Sequence, residues 1–399
     1  MAKTFIDLFS GAGGMSCGLE QAGFECVLGI DQDKASLETF KANHHHANII
    51  CGDLREIALE DIYEKIGNQT VDLICGGPPC QGFSTIGAND NGDKRNFLFF
   101  EFLRIVTALK PDYLIMENVT GLLSRNNEPT LSLILNSFVE LGYTIEVRVL
   151  AAHHYGVPQA RRRTIFLGNR FGVQNLYPEK QFKDSPKDSD NLPAARTVGW
   201  AFENLLTCQN TTFNHDIQTA QIPNELERKR IHHIPEGKGI RYQKDELTYL
   251  PLELRFNVDW ENLREQRFRE TKLKRLDRNA VSNTINTSRT TYYHPTENRY
   301  LTVREAAAIQ SFPPEFIFKG SLTQQWRQIG NAVPPLLAKA IGEGILSLDE
   351  QKHQLEKTNS TQDISEIRAK AFTYKEKGPL TDIKEENNDD PEFVQLSLF

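Results

Sequence analysis

A cysteine that follows two prolines is the residue best suited to nucleophilic chemistry in this chain. Cys80 lies in the segment 76–82 (GGPPCQG), directly after the apolar run 71–74. Prolines stiffen the backbone and glycines leave room beside it, so a thiolate here would be held in place to attack a substrate. A buried, inert side chain is the usual fate of a free cysteine, and that interpretation suits Cys75. The pattern indicates Cys80 as a catalytic nucleophile.

A glycine-rich turn near the N-terminus is suited to binding a cofactor. Residues 9–18 (FSGAGGMSCG) follow an apolar strand pattern and precede a helical pattern. Gly11, Gly13 and Gly14 would permit a tight turn and let a ligand approach the backbone closely.

Two acidic residues extend the cofactor hypothesis. Asp31 ends the second strand pattern about 20 residues beyond the turn, where a carboxylate can accept from the hydroxyls of a ribose. Asp53 follows the third strand pattern and is suited to accept from the exocyclic amine of adenine. The spacing GxGGxxxG differs from the GxGxxG of dinucleotide sites, which leaves S-adenosylmethionine open as the adenosine-containing cofactor. A structural glycine turn with solvated acids is the alternative.

The elements that must position these residues alternate between short apolar runs and helix-like stretches up to about residue 167. This alternation predicts an α/β fold with a parallel sheet, whose ligands lie at the carboxyl ends of the strands. The predicted strands are 5–9, 26–30, 48–50, 71–74, 113–116 and 164–167. Predicted helices cover 97–110 and 131–141, and a capping box at Thr302 predicts another through Gln310.

Composition sets outer limits on the class of protein. The chain has 399 residues, 39% of them hydrophobic and 25% charged, which predicts a globular protein with a full core. Its net charge of −7 argues against a uniformly basic nucleic-acid coat but allows a local basic groove. Six cysteines without framework spacing predict a reducing, cytoplasmic setting, and no apolar run is long enough to span a membrane.

The ordered motifs resemble the DNA (cytosine-5) methyltransferases of bacteria and phages. The first block of that family is similar to residues 7–14 (DLFSGAGG), and its nucleophile block to residues 77–84 (GPPCQGFS). The remaining blocks resemble residues 117–119 (ENV), 159–163 (QARRR) and 328–335 (QIGNAVPP). The resemblance implies a Rossmann-like class I methyltransferase domain with a mixed, mostly parallel sheet.

The resemblance also implies a role for each catalytic residue. Cys80 would add to carbon-6 of cytosine, which makes carbon-5 nucleophilic enough to accept a methyl group. Glu117 would hydrogen-bond nitrogen-3 and the exocyclic amine of the base, and Arg163 would contact its carbonyl oxygen. Arg161 would support the pocket or a phosphate.

S-adenosyl-L-methionine is the cofactor that the resemblance implies. Phe9 would stack on its adenine, and Asp31 would hold its ribose. The further pocket residues by resemblance are Asp53, Pro79, Leu98, Asn331 and Val333. No metal is expected, because the histidine runs 44–46, 153–154 and 232–233 lack ligand spacing.

The domain organisation is predicted from the segment in which the alternation of strand and helix patterns breaks down. Residues 1–169 and 280–349 are expected to form a discontinuous catalytic domain, and 170–279 a smaller, irregular target-recognition domain for double-stranded DNA. A flipped cytosine would require a mobile loop, which the breaker-rich residues 82–96 are suited to form. Residues 350–399 are expected to be a disordered acidic tail.

Interactions with other macromolecules are suggested at the C-terminus. Its last residues resemble the peptide by which bacterial proteins bind the replication sliding clamp: Gln395, Leu396, Ser397, Leu398 and Phe399. Packing of this end on its own domain is the equal alternative. The family also suggests a cognate restriction endonuclease, without direct contact, and a location near the nucleoid.

Three other functions are alternatives to this interpretation. A tRNA cytosine-5 methyltransferase would keep the fold and change the substrate. A catalytically silent DNA-binding scaffold is disfavoured by the intact Cys80, Glu117 and Arg163. A nicotinamide dehydrogenase is disfavoured by the glycine spacing and by a nucleophile that hydride transfer does not need.

Overall fold

The chain folds into two compact units. The computed structural model describes residues 2–79, 97–184, 191–207 and 213–358, together with Ile364 and Glu366. The first unit comprises Met1–Gly156, Arg161–Ala194 and Ala332–Phe399. The second comprises Val157–Ala160 and Ala195–Asn331.

A seven-stranded sheet forms the centre of the first unit. Its strands are β1 (Thr4–Leu8), β2 (Glu25–Asp31), β3 (Asn48–Cys51), β4 (Leu73–Gly76), β5 (Tyr113–Asn118), β6 (Thr144–Ala151) and β7 (Arg162–Asn169). Their spatial order is β3-β2-β1-β4-β5-β7-β6. β1 to β5 are parallel, as the alternation predicts, whereas β7 is antiparallel to both of its neighbours. The mixed, mostly parallel sheet that the resemblance implied is confirmed. This edge is antiparallel because no α-helix separates β6 from β7, and a short connection can only reverse the chain.

Helices and apolar side chains complete the core of this unit. Its first helices are α1 (Gly14–Ala22), α2 (Lys34–Asn43), α3 (Leu59–Ile66), α4 (Phe97–Leu109) and α5 (Glu128–Glu140). Phe138 of α5 meets two aromatic rings of α4 edge-on, Phe99 at 5.8 Å and Phe102 at 6.2 Å between centroids. All three side chains are fully buried in one cluster with residues of the sheet. This close packing holds α4 and α5 against the sheet.

The second unit is smaller and less regular. Its elements are α6 (Val198–Thr207), α7 (Glu225–His232), β8 (Ile240–Tyr242), α8 (Gln243–Tyr249), β9 (Arg267–Lys272), α9 (Val303–Ile309) and α10 (Leu322–Asn331). β8 and β9 form an antiparallel pair. The capping box predicted at Thr302 is confirmed, since its hydroxyl accepts from the Glu305 N–H at 3.1 Å and its own N–H donates to Glu305 at 2.8 Å.

The last helix, α11 (Pro335–Gln351), belongs to the first unit and packs on α1. Small residues allow this close contact. A Cβ on Gly18 would stand 2.2 Å from the Pro335 carbonyl oxygen, and one on Gly342 would stand 2.9 Å from the Cβ of Ala22. The C-terminal segment therefore returns to the element that follows β1.

The boundaries of the compact units differ from those expected at residues 170 and 279. Gln159 belongs to the second unit, where its side chain accepts from the Ile285 N–H at 2.8 Å and donates to Gln310 at 2.7 Å. Asn175 stays with the first unit, where its N–H donates to Glu146 at 2.8 Å. These long-range hydrogen bonds of buried groups are invisible in local sequence patterns.

The first residues of the expected disordered tail, 350–358, are described by the structure. α11 continues to Gln351, and the Thr358 N–H donates to the Gly172 carbonyl at 2.9 Å. The expectation for 350–358 was therefore wrong, because these residues pair with the first unit. Within the described ranges, no helix is both long and apolar enough to cross a membrane.

Candidate active site

One row of the sheet register sets the position of the expected site residues. Leu8 pairs with Ile30 and with Gly76, and Gly76 pairs with Met116. The residues that follow this row are Phe9, Asp31, Gly77 and Glu117, each one position further on. Because β2, β1, β4 and β5 are parallel neighbours spaced by about 4.8 Å, all four residues emerge at the same edge of the sheet.

The backbone of the glycine turn adopts conformations that favour glycine. Gly11 has φ 52° and Gly13 has φ 89°, and Phe9 shares the left-handed region with φ 63°. A non-glycine residue there costs on the order of 1–3 kcal/mol and is typical of functional sites. The point where a Cβ on Gly11 would stand has nothing within 4 Å, so a ligand can approach the backbone at this turn.

Asp31 is bound to the same turn. Its carboxylate accepts from the Gly11 N–H and from the Asp33 N–H, each at 2.8 Å. Burial raises the pKa of Asp31, although these two hydrogen bonds oppose the rise. A partly buried carboxylate that is fixed beside an open glycine turn suits the hydroxyls of a ribose.

Asp53 is held by a neighbouring cation. The Arg55 side chain donates from Nε to both of its carboxylate oxygens, at 2.9 and 3.1 Å, and a second guanidinium nitrogen also contacts it. The Arg55 guanidinium lowers the pKa of Asp53. A carboxylate has about four acceptor positions, so the expected hydrogen bond from an adenine amine remains compatible with this pairing.

The loop that leads to the expected nucleophile is anchored to β5. The Asn118 side-chain amide donates to the Pro78 carbonyl at 2.9 Å, and Asn118 is buried. A Cβ on Gly77 would lie 3.1 Å from Oε2 of Glu117, so glycine there lets the carboxylate lie against the loop. Cys80, together with the predicted mobile loop 82–96, lies outside the described residues.

Glu117 and Arg163 form an ion pair at the end of the sheet. Nε of Arg163 lies 2.6 Å from Oε1 of Glu117, and their side chains are 16% and 14% exposed. The antiparallel register of β5 and β7 places Glu117 opposite Ile165, two residues from Arg163. Glu117 and Arg163, two of the expected catalytic residues, are thus in direct contact beside the loop that leads from β4 to Cys80.

Arg161 occupies a different environment from Arg163. Its side chain is buried, and burial lowers its pKa well below the ordinary value while Arg163 adds repulsion. A guanidinium so enclosed does not reach a phosphate in solvent. Of its two expected roles, support of the pocket fits the burial better.

The remaining expected cofactor residues have varied environments. Pro79 is exposed, Leu98 is partly buried in α4 and Val333 is buried in the first unit. Asn331 is exposed at the end of α10 in the second unit.

Two buried polar residues of the sheet, Asp7 and Asn118, had no assigned role at the sequence level. Asp7 is buried in β1, where it accepts from the Ser16 hydroxyl at 2.6 Å, and burial raises its pKa to about 7. In the sequence, Asp7 was visible only as a charged residue within an otherwise apolar strand pattern. Asn118 was visible only as part of the motif ENV, and nothing local indicated its bond to the Pro78 carbonyl.

Buried histidines outside this site also have polar partners. Nε2 of His153 and Nε2 of His154 lie 2.6 and 2.5 Å from the same oxygen of Asp184, whose other oxygen lies 3.1 Å from Nζ of Lys180. His153, His154 and Asp184 each offer one atom that could bind a metal, and these atoms lie within 4.8 Å of one another. They are the one such group among the described residues. Burial lowers the pKa of His154, although the hydrogen bond to Asp184 opposes this.

Comparison with solved structures defines the class of fold. A DNA modification methyltransferase encoded within an E. coli prophage superposes with a TM-score of 0.65 at 24% identity, covering 88% of this chain and all of that one. A variant of Spodoptera frugiperda DNMT2 superposes with a TM-score of 0.56 at 19% identity, covering 87% of this chain and 99% of that one. The first unit has the Rossmann-like methyltransferase fold, as the motif resemblance implied.

Sequence comparison shows the family. Residues 3–347 match the model of the C-5 cytosine-specific DNA methylases. The type II methyltransferase M1.HphI of Haemophilus parahaemolyticus is 34% identical over 88% of both chains. M.PspPI of Psychrobacter is 35% identical over 86% of this chain and 79% of that one. The chain belongs to the C-5 cytosine-specific DNA methylase family, whose members use S-adenosylmethionine.

Proposed function

We propose that this protein methylates carbon-5 of a flipped-out cytosine within a specific DNA sequence, through a covalent bond between Cys80 and carbon-6. The observation that carries the proposal is the contact of Glu117 with both Arg163 and the loop that precedes Cys80. The contact of an acid with a cation and with a strand-end loop supports the proposal, because the family chemistry uses all three.

The glycine turn fits the cofactor that the family uses. S-adenosylmethionine supplies an electrophilic methyl group when it is bound. Asp31 would hold the ribose hydroxyls, Asp53 the adenine amine, and Phe9 would stack on the adenine ring. The open space at Gly11 supports this placement, since a ligand can lie against the turn there.

Each catalytic side chain then has a defined task. The Cys80 thiolate forms a bond to carbon-6, and the electron pair of the carbon-5–carbon-6 double bond moves onto carbon-5. Glu117, as the protonated acid, donates to nitrogen-3, and Arg163 donates to the carbonyl oxygen, and both hydrogen bonds withdraw charge from the ring during the attack. After carbon-5 has taken the methyl group, its proton leaves, the double bond re-forms and Cys80 is released.

The second unit is proposed to read the DNA sequence. Not all of its basic residues are available for this, because Arg275 is buried and donates only within the protein. Arg230 donates to the carbonyls of Leu254 and Arg255. The exposed cations Arg228 and Lys272 are better placed to contact phosphates.

Two further partners and a location in the cell are also proposed. Residues 395–399 would bind a sliding clamp, but they lie outside the described residues. A cognate restriction endonuclease in the same system fits the type II relatives, and the expected location is the cytoplasm near the nucleoid.

Transfer of labelled methyl groups tests the proposed function. Tritium from methyl-labelled S-adenosylmethionine should enter duplex DNA and not tRNA. Cys80→Ser should abolish transfer, while the control Cys51→Ser, an exposed cysteine at the end of β3, should keep it. Label in tRNA alone would overturn the DNA assignment, and normal transfer by Cys80→Ser would overturn the covalent mechanism.

A further inference from the structure

His44 is a buried residue that the proposed mechanism does not use. It caps the C-terminus of α2, and its ring stacks near Phe40 with centroids 4.4 Å apart. Its neighbours His45 and His46 are exposed. The histidine run thus contains one enclosed ring and two solvated ones.

Both ring nitrogens of His44 face oxygen acceptors on α1. Nδ1 lies 2.8 Å from Oε2 of Glu20, and Nε2 lies 3.2 Å from the carbonyl oxygen of Gly13. Gly13 and Glu20 are seven residues apart, which is about two helical turns, so they share one face of the helix. The imidazole spans this face.

Both partners of the ring are acceptors. A carbonyl oxygen and a carboxylate can only accept, so His44 is the donor in each hydrogen bond that it makes with them. Its surroundings are electronegative, since Glu20 pairs with it, Asp7 of β1 interacts with it electrostatically, and it caps the C-terminus of α2.

The Gly13 carbonyl is part of the turn that faces the cofactor. It also accepts from the Cys17 N–H at 2.8 Å, as the first hydrogen bond of α1. A Cβ on Gly13 would stand 2.3 Å from Nε2 of His44, so the absence of a side chain is what admits the ring. Two residues earlier, the Gly11 N–H is fixed by Asp31.

We propose that His44 is a positioning residue, whose ring fixes the glycine turn from behind through the contacts of its two nitrogens and thereby sets the affinity for S-adenosylmethionine. This inference rests on the proposed cofactor site. It assigns to one histidine of the run 44–46 a role other than metal binding.

Nitrogen-15 NMR of histidine-labelled full-length protein tests the two contacts directly, without cofactor. The signals of His44 are assigned by their loss in His44→Gln. We expect a ring N–H of His44 to exchange with water more slowly than that of the exposed His45, and Glu20→Gln to shift the Nδ1 signal of His44. A His44 ring N–H that exchanges as fast as that of His45, or an Nδ1 signal that is unchanged in Glu20→Gln, would overturn the proposal whether or not the cofactor assignment is correct.

Calorimetric titration with S-adenosylmethionine tests the positioning role. His44→Gln should weaken binding at least fivefold, and the matched control His45→Gln should stay within twofold of the wild type. Glu20→Gln, whose site is more exposed, should weaken binding in the same direction if His44→Gln does not fold. Unchanged affinity in a folded His44→Gln or in Glu20→Gln would overturn the role. If the wild type binds no cofactor, the proposed function fails instead, and the NMR result still decides whether His44 makes the two contacts.

Discussion

Arg163 contacts Glu117 through Nε and Oε1, 2.6 Å apart, at the junction of β5 and β7. The pair joins the strand that ends within the ENV motif to the strand that carries the last arginine of QARRR. Since β5 and β7 are antiparallel, the two motifs meet although they are more than forty residues apart in the sequence. The ion pair holds the carboxylate in place before a base arrives.

Removal of the charge on Glu117 should damage catalysis more than folding. Glu117→Gln keeps the size of the side chain but loses both the ion pair and the acid. We expect methyl transfer to fall by about 10²- to 10⁴-fold, the usual contribution of a positioned acid. Single-turnover rates measure this effect, with the exposed Glu140→Gln as the control. A rate within threefold of the wild type would remove Glu117 from the mechanism.

Loss of the Asp31 carboxylate should weaken cofactor binding. Asp31→Asn keeps one oxygen acceptor but loses the charge that the Gly11 and Asp33 N–H groups now bind. Hydrogen bonds to charged groups contribute about 1.5–3 kcal/mol, so affinity for S-adenosylmethionine should fall by about 10- to 100-fold. Glu25→Gln, at the exposed opposite end of β2, is the control in equilibrium titrations. Equal affinity of Asp31→Asn and the wild type would contradict this placement of the ribose.

Asp7 should make stability depend on pH. Its folded pKa of about 7 lies above the ordinary value, so the folded state keeps a proton that the unfolded state releases as pH rises from 4 to 7. The wild type therefore loses stability across this window, by on the order of 1.4 kcal/mol for each unit by which the pKa is raised. Asp7→Asn cannot titrate and should gain stability relative to the wild type between pH 5 and pH 8. Urea unfolding at four pH values measures the difference, and a constant difference would refute the raised pKa.

Arg275 should matter for stability of the second unit. Its buried guanidinium donates to five acceptors within 2.9 Å: Ile231, Ile234, His294, Glu297 and Asn298. Arg275→Ala removes these hydrogen bonds, three of which end on the buried residues Ile231, Ile234 and His294. Each acceptor that water does not reach costs about 1–3 kcal/mol, so a loss of at least about 3 kcal/mol is expected. The exposed Arg228→Ala should change unfolding by no more than about 0.5 kcal/mol. Equal unfolding midpoints for the two variants would show that Arg275 is not structural.

Local patterns predicted the parallel part of the sheet and the strand-end location of the site. The strand expected at 113–116 continues to Asn118, so Glu117 lies in the strand that positions it. β6 was not predicted, and neither were the hydrogen bonds of the Gln159 side chain with Ile285 and Gln310 in the second unit. Both depend on long-range pairing, which leaves no periodic signal of its own. The positioning role inferred for His44 likewise follows from two partners that lie 24 and 31 residues away.

The central claim is a covalent bond from Cys80 to carbon-6 of cytosine, and trapping it is the most direct test. Duplex DNA in which 5-fluorocytosine replaces every cytosine includes the unknown target, and fluorine on carbon-5 cannot leave as a proton. With S-adenosylmethionine present, mass spectrometry of the digested complex should find the base attached to Cys80, with no complex from Cys80→Ser. Attachment to another residue, or no complex from an active wild-type preparation, would contradict the mechanism.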